Sequence, residues 1–209
     1  MRPVKIAVSD NGRVFGPGHC VVRAAVDVPR HDWAVSLAAR IYEVSHLRGS
    51  FTLRSGQVAT EYFDKYRFES DPELLAEIAR LATSLIPTEV DGLAGLEMGG
   101  IPVAVALSAA CGLPACFVRK KAKEYGTRQL CEGGEVSGKR LLIVEDVVTS
   151  AGQILLSAAD LRQAGAVVTD AVCVIDRQSG GRENLAQAGI TLRALFTMDE
   201  LTEAGASIS

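Results

Sequence analysis

The stretch Leu141-Leu142-Ile143-Val144-Glu145-Asp146-Val147-Val148-Thr149-Ser150-Ala151-Gly152-Gln153 constrains the fold more tightly than any other part of the chain. Leu141 to Val144 are branched apolar residues in an unbroken row, so they predict a strand buried on both faces, as in parallel sheets. Glu145 and Asp146 then stand at its carboxyl end. Thr149, Ser150, Ala151 and Gly152 are small enough to let backbone N–H groups converge. The spacing predicts a helix over Gln153–Gln163, whose positive N-terminal end faces the same spot. A phosphate suits such a loop. The two acids repel phosphate, so their partners are ribose hydroxyls or the waters of a metal ion. Together these features read as a cradle for ribose 5-phosphate. Without the turn and helix, Glu145 and Asp146 would be an ordinary acidic pair solvated at a strand end.

On either side of this stretch the pattern repeats. A strand is predicted over Leu93–Leu96, a helix over Ile101–Cys111, a strand over Ala115–Val118, and further strands over Val167–Ile175 and Ile190–Phe196. Strand and helix in alternation imply an α/β fold with a central, mostly parallel sheet flanked by helices, its ligands at the carboxyl ends of the strands. At 209 residues and 48% hydrophobic content, one domain with one sizeable core is expected.

Before the first of these strands lie two other signals. Trp33, Leu37, Ile41 and Val44 share one helical stripe with Asp32 as a plausible cap, and Ser70-Asp71-Pro72-Glu73 reads as a capping box opening a helix over Leu74–Leu85. Between them, Phe51–Gln57 and Glu61–Phe68 predict two strands joined at Ser55-Gly56, an aromatic-rich small lobe beside the main sheet. Residues 1–31 alternate in short pieces around Asp10-Asn11-Gly12 and Gly16-Pro17-Gly18. They predict a hairpin or loosely attached arm of unknown role.

Charge and cysteine usage exclude several classes. A net charge of -3 and a pI near 5.7 give no general attraction to nucleic acid. Five cysteines without a C-x-x-C pair argue against a disulfide framework or structural zinc, and favour a reducing compartment, the cytoplasm. No sustained apolar run predicts a membrane span or secretory signal.

Three further loops carry candidate chemistry. Glu97-Met98-Gly99-Gly100-Ile101-Pro102 follows a strand and opens a helix, and its glycines permit close backbone approach; it could equally be a tight turn with no ligand. Arg119-Lys120-Lys121-Ala122-Lys123-Glu124-Tyr125-Gly126-Thr127-Arg128 carries five cations, which suits either a solvated surface loop or a binding lid. Ile175-Asp176-Arg177-Gln178 ends a strand, and Arg177 could pair with Asp176 or offer its planar fork to a ligand carboxylate. Gly133–Arg140 approaches P-loop spacing but has Arg140 in place of the hydroxyl and precedes its strand, so a nucleotide triphosphatase is rejected. His19, His31 and His46 are scattered and suggest no role.

The Glu145–Gln153 stretch resembles the phosphoribosyl pyrophosphate (PRPP) motif of type I phosphoribosyltransferases. With Phe51–Ser70, Phe117–Gly126 and Val174–Gln178, the chain is similar to the orotate phosphoribosyltransferase family over roughly residues 33 to 200. That resemblance implies transfer of ribose 5-phosphate from PRPP to orotate with Mg2+ held mainly by substrate and water rather than by a protein metal site. PRPP would be bound by Arg119, Lys120, Lys123, Tyr125, Glu145, Asp146, Val147, Val148, Thr149, Ser150, Ala151, Gly152 and Gln153. Lys123, Glu145 and Asp146 would be catalytic. Orotate would meet Arg54, Tyr62, Phe63, Thr149 and Arg177, with a hood contributed largely by residues 32–70; Tyr62 and Phe63 could instead be hood core. The family's homodimers further imply that the 119–133 loop serves the neighbouring subunit's site. The chain departs from the pattern at Gly99, where a lysine is frequent, at Tyr125, where some members have histidine, at Ala151, commonly glycine, and at Gln153, usually small. A purine-type phosphoribosyltransferase and a PRPP-sensing regulator are the other readings. The cationic loop and acidic balance speak against the regulator.

Overall fold

The computed structural model describes residues 30–52, 56–120 and 130–207. The expectations for residues 1–29, Arg54, Lys121 to Arg128 and the side chains of Asp32 and Trp33 therefore lie outside the described residues. The chain begins with α1 (Arg30–Ser45) and runs straight into a hairpin, β1 (His46–Thr52) and β2 (Val58–Phe63). A helical turn α2 (Tyr66–Glu69) and helix α3 (Pro72–Ala82) follow. Then come β3 (Gly92–Leu96), α4 (Gly100–Cys111), β4 (Ala115–Val118), β5 (Cys131–Glu132), β6 (Arg140–Val148), α5 (Gly152–Gln163), β7 (Val167–Asp176), α6 (Gly181–Gln187), β8 (Thr191–Thr197) and α7 (Met198–Ala206).

The six-stranded sheet has the order β5-β4-β3-β6-β7-β8. All neighbours are parallel except the short β4–β5 pair. From β3 the chain works outward to β4 and β5, while from β6 it works outward the other way to β7 and β8. The reversal lies between β3 and β6, and the crevice at their carboxyl ends is where sheets of this kind take ligands. Leu141 to Val144 sit on β6 and are at most 5% exposed, because both faces are covered. Leu142 and Val144 pack with residues of α1, α3, α4 and α7, and Leu141 and Ile143 with Ile154, Ala158 and Leu161 of α5 and Leu185 of α6.

Local chemistry moves several element ends from where the sequence pattern placed them. Helix α1 starts at Arg30, so Asp32 is in its first turn and is not the cap. The cap of α3 is Asp71, not Ser70: one Asp71 oxygen accepts from the Glu73 and Leu74 amides at 2.9 and 3.0 Å. The second hood strand stops at Phe63 because the Asp64 carboxylate accepts the Tyr66 amide and starts a helical turn over residues predicted as strand. The hairpin forms a separate two-stranded antiparallel sheet. Helix α1, by contrast, places Leu37 and Ile41 in the main core, so the hairpin and not the whole of 32–70 stands off the sheet. Helices α6 and α7 are not among the elements expected from the sequence, although α7 opens on a capping box between Thr197 and Glu200. Cys116, Cys131 and Cys173 form no disulfide, and among the described residues no helix is long and apolar enough to cross a membrane.

Candidate active site

The loop after β6 forms the floor of the crevice. Thr149 and Ser150 are exposed, and Ala151 turns the chain in the left-handed region at φ 62° and ψ 16°. No side chain caps α5, so its first-turn N–H groups face the loop as an anion site would need. Gln153 donates its amide to Ser157 Oγ at 3.1 Å and so lies along its own helix. The loop is braced from the β7 side: the Arg177 amide donates to the Val148 carbonyl at 2.8 Å and Asn184 Nδ2 to the Ser150 carbonyl at 3.1 Å. Gly181 packs so closely under Thr149 that any Cβ there would overlap the Thr149 carbonyl.

Ala151 explains why glycine is usual at its position, since an L residue with positive φ is strained by about 1–2 kcal/mol. Its methyl is also buried in the α5 side of the core, and a buried methyl contributes about 0.8 kcal/mol. The two effects nearly cancel. Ala151→Gly is therefore expected to change stability by less than about 1 kcal/mol, whereas Ala151→Val, β-branched at positive φ, should lose about 2 kcal/mol or more. Thermal unfolding of the two variants checks this, and a Val variant as stable as the parent would contradict it.

The acids of β6 do not behave as a matched pair. Asp146 is completely buried and forms an ion pair with the Lys65 ammonium, which is delivered from the exit of the hairpin. Its Oδ1 accepts the Val147 amide at 2.6 Å. Glu69 of α2 stands beside it, the two carboxyls bordering the same space over Gly99. Burial alone would raise the Asp146 pKa, but hydrogen bonds from Glu69, Glu145 and Lys65 and the Lys65 charge hold it down at about 2. Burial, then the Asp146 hydrogen bond and charge, push Glu69 and Glu145 up to about 9. Among the three carboxyls, the Lys65 ammonium beside Asp146 favours its ionised form, while burial and the Asp146 charge disfavour ionisation of Glu69 and Glu145.

Gly99 belongs to this cluster. A Cβ built there would overlap the Asp146 carboxylate and stand 2.8 Å from Glu69 Oε1. At Gly100 it would overlap the Val144 carbonyl, so α4 can start only against bare backbone. The Glu97–Met98 peptide in this loop is cis. Glu97 also reaches the root of the cationic loop: its Oε2 accepts the Lys120 amide at 3.0 Å, and its amide donates to the Val118 carbonyl at 2.9 Å. The Arg119 amide donates to the Leu130 carbonyl at 2.9 Å, and Val118 pairs with Cys131. Residues 118–120 and 130–131 thus form an antiparallel clasp at the carboxyl end of β4. Arg119 is half-buried and Lys120 exposed.

At the third loop, local pairing of Arg177 with Asp176 does not form. Asp176 accepts instead from Arg182 Nη2 at 3.2 Å and from the Gln178 amide at 2.9 Å, while Arg177 is exposed. In the hood, the strand alternation parts the two aromatics. Phe63 is half-buried against the main core, and Tyr62 is 44% exposed, its ring 5.5 Å from that of Phe51. The structure thus brings the 97–100, 119–120, 149–153 and 177–178 loops to one end of the sheet. Lys65, Glu69, Gly181 and Asn184 shape the site without belonging to any motif. Only the clustering of Lys65 and Glu69 with aromatics on the predicted hood pointed toward them. Among the described residues no three His, Cys, Asp or Glu side chains are placed to hold a metal ion.

Comparison with known proteins gives this geometry a family. Residues 67–194 match the model of the phosphoribosyl transferase domain, and the chain belongs to the phosphoribosyltransferases. An orotate phosphoribosyltransferase of Nocardioides sp. is 51% identical over 174 residues, covering 82% of this chain and 97% of the relative. One of Methanocella arvoryzae is 46% identical over 153 residues, 73% of this chain and 87% of the relative. The orotate phosphoribosyltransferase of Mycobacterium tuberculosis H37Rv superposes in its complex with PRPP with a TM-score of 0.71 at 30% identity, covering 81% of this chain and 98% of that one. Within the phosphoribosyltransferases, the chain is an orotate phosphoribosyltransferase family member. An adenine phosphoribosyltransferase of Trypanosoma brucei, at 12% identity and a TM-score of 0.60 over 78% of this chain and 80% of that one, shares the fold alone.

Proposed function

We propose that this chain transfers the ribose 5-phosphate group of PRPP to orotate, giving orotidine 5-monophosphate and pyrophosphate, a step of pyrimidine nucleotide synthesis. The observation that carries the proposal is the meeting, at the β3–β6 crevice, of an uncapped helix start, an acidic strand end and a cationic loop root. The 5-phosphate rests on the N–H groups of the Thr149–Gln153 loop. Glu145 and Asp146 stand at the ribose end of the crevice, where negative charge favours a C1 that becomes oxocarbenium-like.

The departing diphosphate is neutralised by Arg119, Lys120 and Lys123, with Tyr125 as a phenolic donor that does not titrate near neutrality. Asp146 is engaged by the Lys65 ammonium, which competes with any cation for that carboxylate. Magnesium enters as part of the substrate, complexed with the diphosphate and water. Orotate lies under the hood, its carboxylate on the Arg177 fork and near Thr149, with Arg54 and Tyr62 above and Phe63 supporting them from the core side. Orotate is already anionic, so no strong general base is required.

The working enzyme is proposed to be a cytoplasmic homodimer in which the 119–133 loop of one subunit closes the site of the other, with residues 1–31 as an extension of separate role. Mixing the protein with PRPP, magnesium and orotate should consume orotate, followed by its absorbance. No loss of orotate while adenine or another purine is converted would overturn the assignment.

A further inference from the structure

We infer that Lys65 and Glu69, both outside the PRPP motif, are positioning residues for the reaction, holding Asp146 in one orientation from the base of the hood. The inference rests on the phosphoribosyl-transfer reading of the site. Three observations lead to it. The Asp146 side chain is 1% exposed, yet it stands at the switch crevice and its outer oxygen is turned to Lys65 and not to solvent. Lys65 is one-third exposed at its side chain, so the ammonium that grips the buried carboxylate is itself reached from solvent. Glu69 comes from the next turn of chain to the same space over Gly99 as the Asp146 carboxylate, room that only a glycine leaves.

A buried ion pair is a weak stabiliser, because apolar replacements of similar volume hold a fold equally well. It does fix geometry, since a carboxylate held on one oxygen by the Val147 amide and on the other by the Lys65 ammonium has a single orientation. The grip also links hood to sheet. Lys65 directly follows Asp64, whose amide donates to the Ser45 carbonyl at 2.8 Å where α1 turns into the hairpin. A base seated under the hairpin therefore bears on the segment that aims Asp146 at the sugar. Lys65, Glu69, Glu145 from the same strand and Cys173 from β7 are the titratable groups around Asp146, with Asp64 acting on Glu69.

The test is steady-state kinetics against pH on the full chain with PRPP, magnesium and orotate, for Lys65→Met, Lys65→Arg, Glu69→Ala and Glu69→Gln. Lys65→Met should lower kcat about 30-fold while the KM for PRPP moves less than about 3-fold, as expected when a reacting-site group is misplaced without loss of substrate binding. Removing the cation raises the Asp146 pKa, so the acidic limb of the kcat/KM profile should shift upward by about one pH unit or more. Lys65→Arg should recover most of the loss. Glu69→Gln should restore most of what Glu69→Ala loses, because an amide donates to Asp146 as a protonated carboxyl does. An unmoved acidic limb in Lys65→Met, or Glu69→Gln as impaired as Glu69→Ala, overturns the inference. If Lys65→Met does not fold, the two Glu69 variants decide. Should the parent convert a purine and not orotate, the same series run with that base still tests the positioning role and separates it from the choice of acceptor.

Discussion

Gly99→Ala should lower kcat/KM by about 100-fold or more, because shifting a reacting-site group by about 1 Å costs on that order. The added Cβ would fall on the Asp146 carboxylate and press on Glu69, and neither can retreat easily. Asp146 is fully buried and Glu69 only 8% exposed. The carboxylate would have to leave Lys65 or the Val147 amide, and either change redirects it. Gly99→Lys should be no better, although lysine is frequent at this position in the family, since its Cβ meets the same obstacle. In this chain the hood already supplies a cation through Lys65, in the space that only a glycine leaves open. A Gly99→Ala variant with parental kcat/KM and unchanged thermal unfolding would show that the cluster relaxes freely and that its packing has no bearing on catalysis.

The same cluster marks where the sequence stops being legible. The β6 strand and the start of α5 could be read because the run of branched residues admits one environment, buried on both faces, and small residues then oblige the chain to turn. The parallel sheet followed from alternation, and Ala115–Val118 is a strand with the expected ends. What could not be read depends on contacts between distant segments. Asp71 wins the α3 cap from Ser70 by a hydrogen-bond geometry that the S-x-x-E pattern does not encode. Tyr66–Glu69 turns helical because Asp64 takes an amide, against the aromatic content that favours a strand. The acids at 145 and 146 look alike in sequence, yet the fold pairs Asp146 directly with the Lys65 ammonium and leaves Glu145 beside the Asp146 charge, so their ionisation is pushed in opposite directions. Asn184 and Gly181 brace the Thr149 loop from α6, a helix too short to announce itself by periodicity.

Lys123→Ala is expected to cut turnover by about 100-fold or more, the usual loss when a group that meets developing charge is removed. The root of its loop is fixed by the Arg119–Leu130 and Lys120–Glu97 contacts, so the variant should fold as the parent does, and unchanged turnover would make the loop mere surface. The variant also settles whose site the loop serves. Asp146→Asn should be similarly inactive for a different reason: its own crevice lacks the anion while its loop is intact. If each loop closes the partner subunit's site, mixed dimers of the two variants regain one sound site, built from the crevice of the Lys123→Ala subunit and the loop of the other. Random exchange makes half the dimers mixed, so activity should return to about one quarter of the parental value. If the loop closes its own subunit's site, every site in every dimer remains defective and mixing restores nothing. Light scattering on the mixture confirms that dimers are the species compared, and a monomer of full activity on dilution would remove the need for a partner altogether.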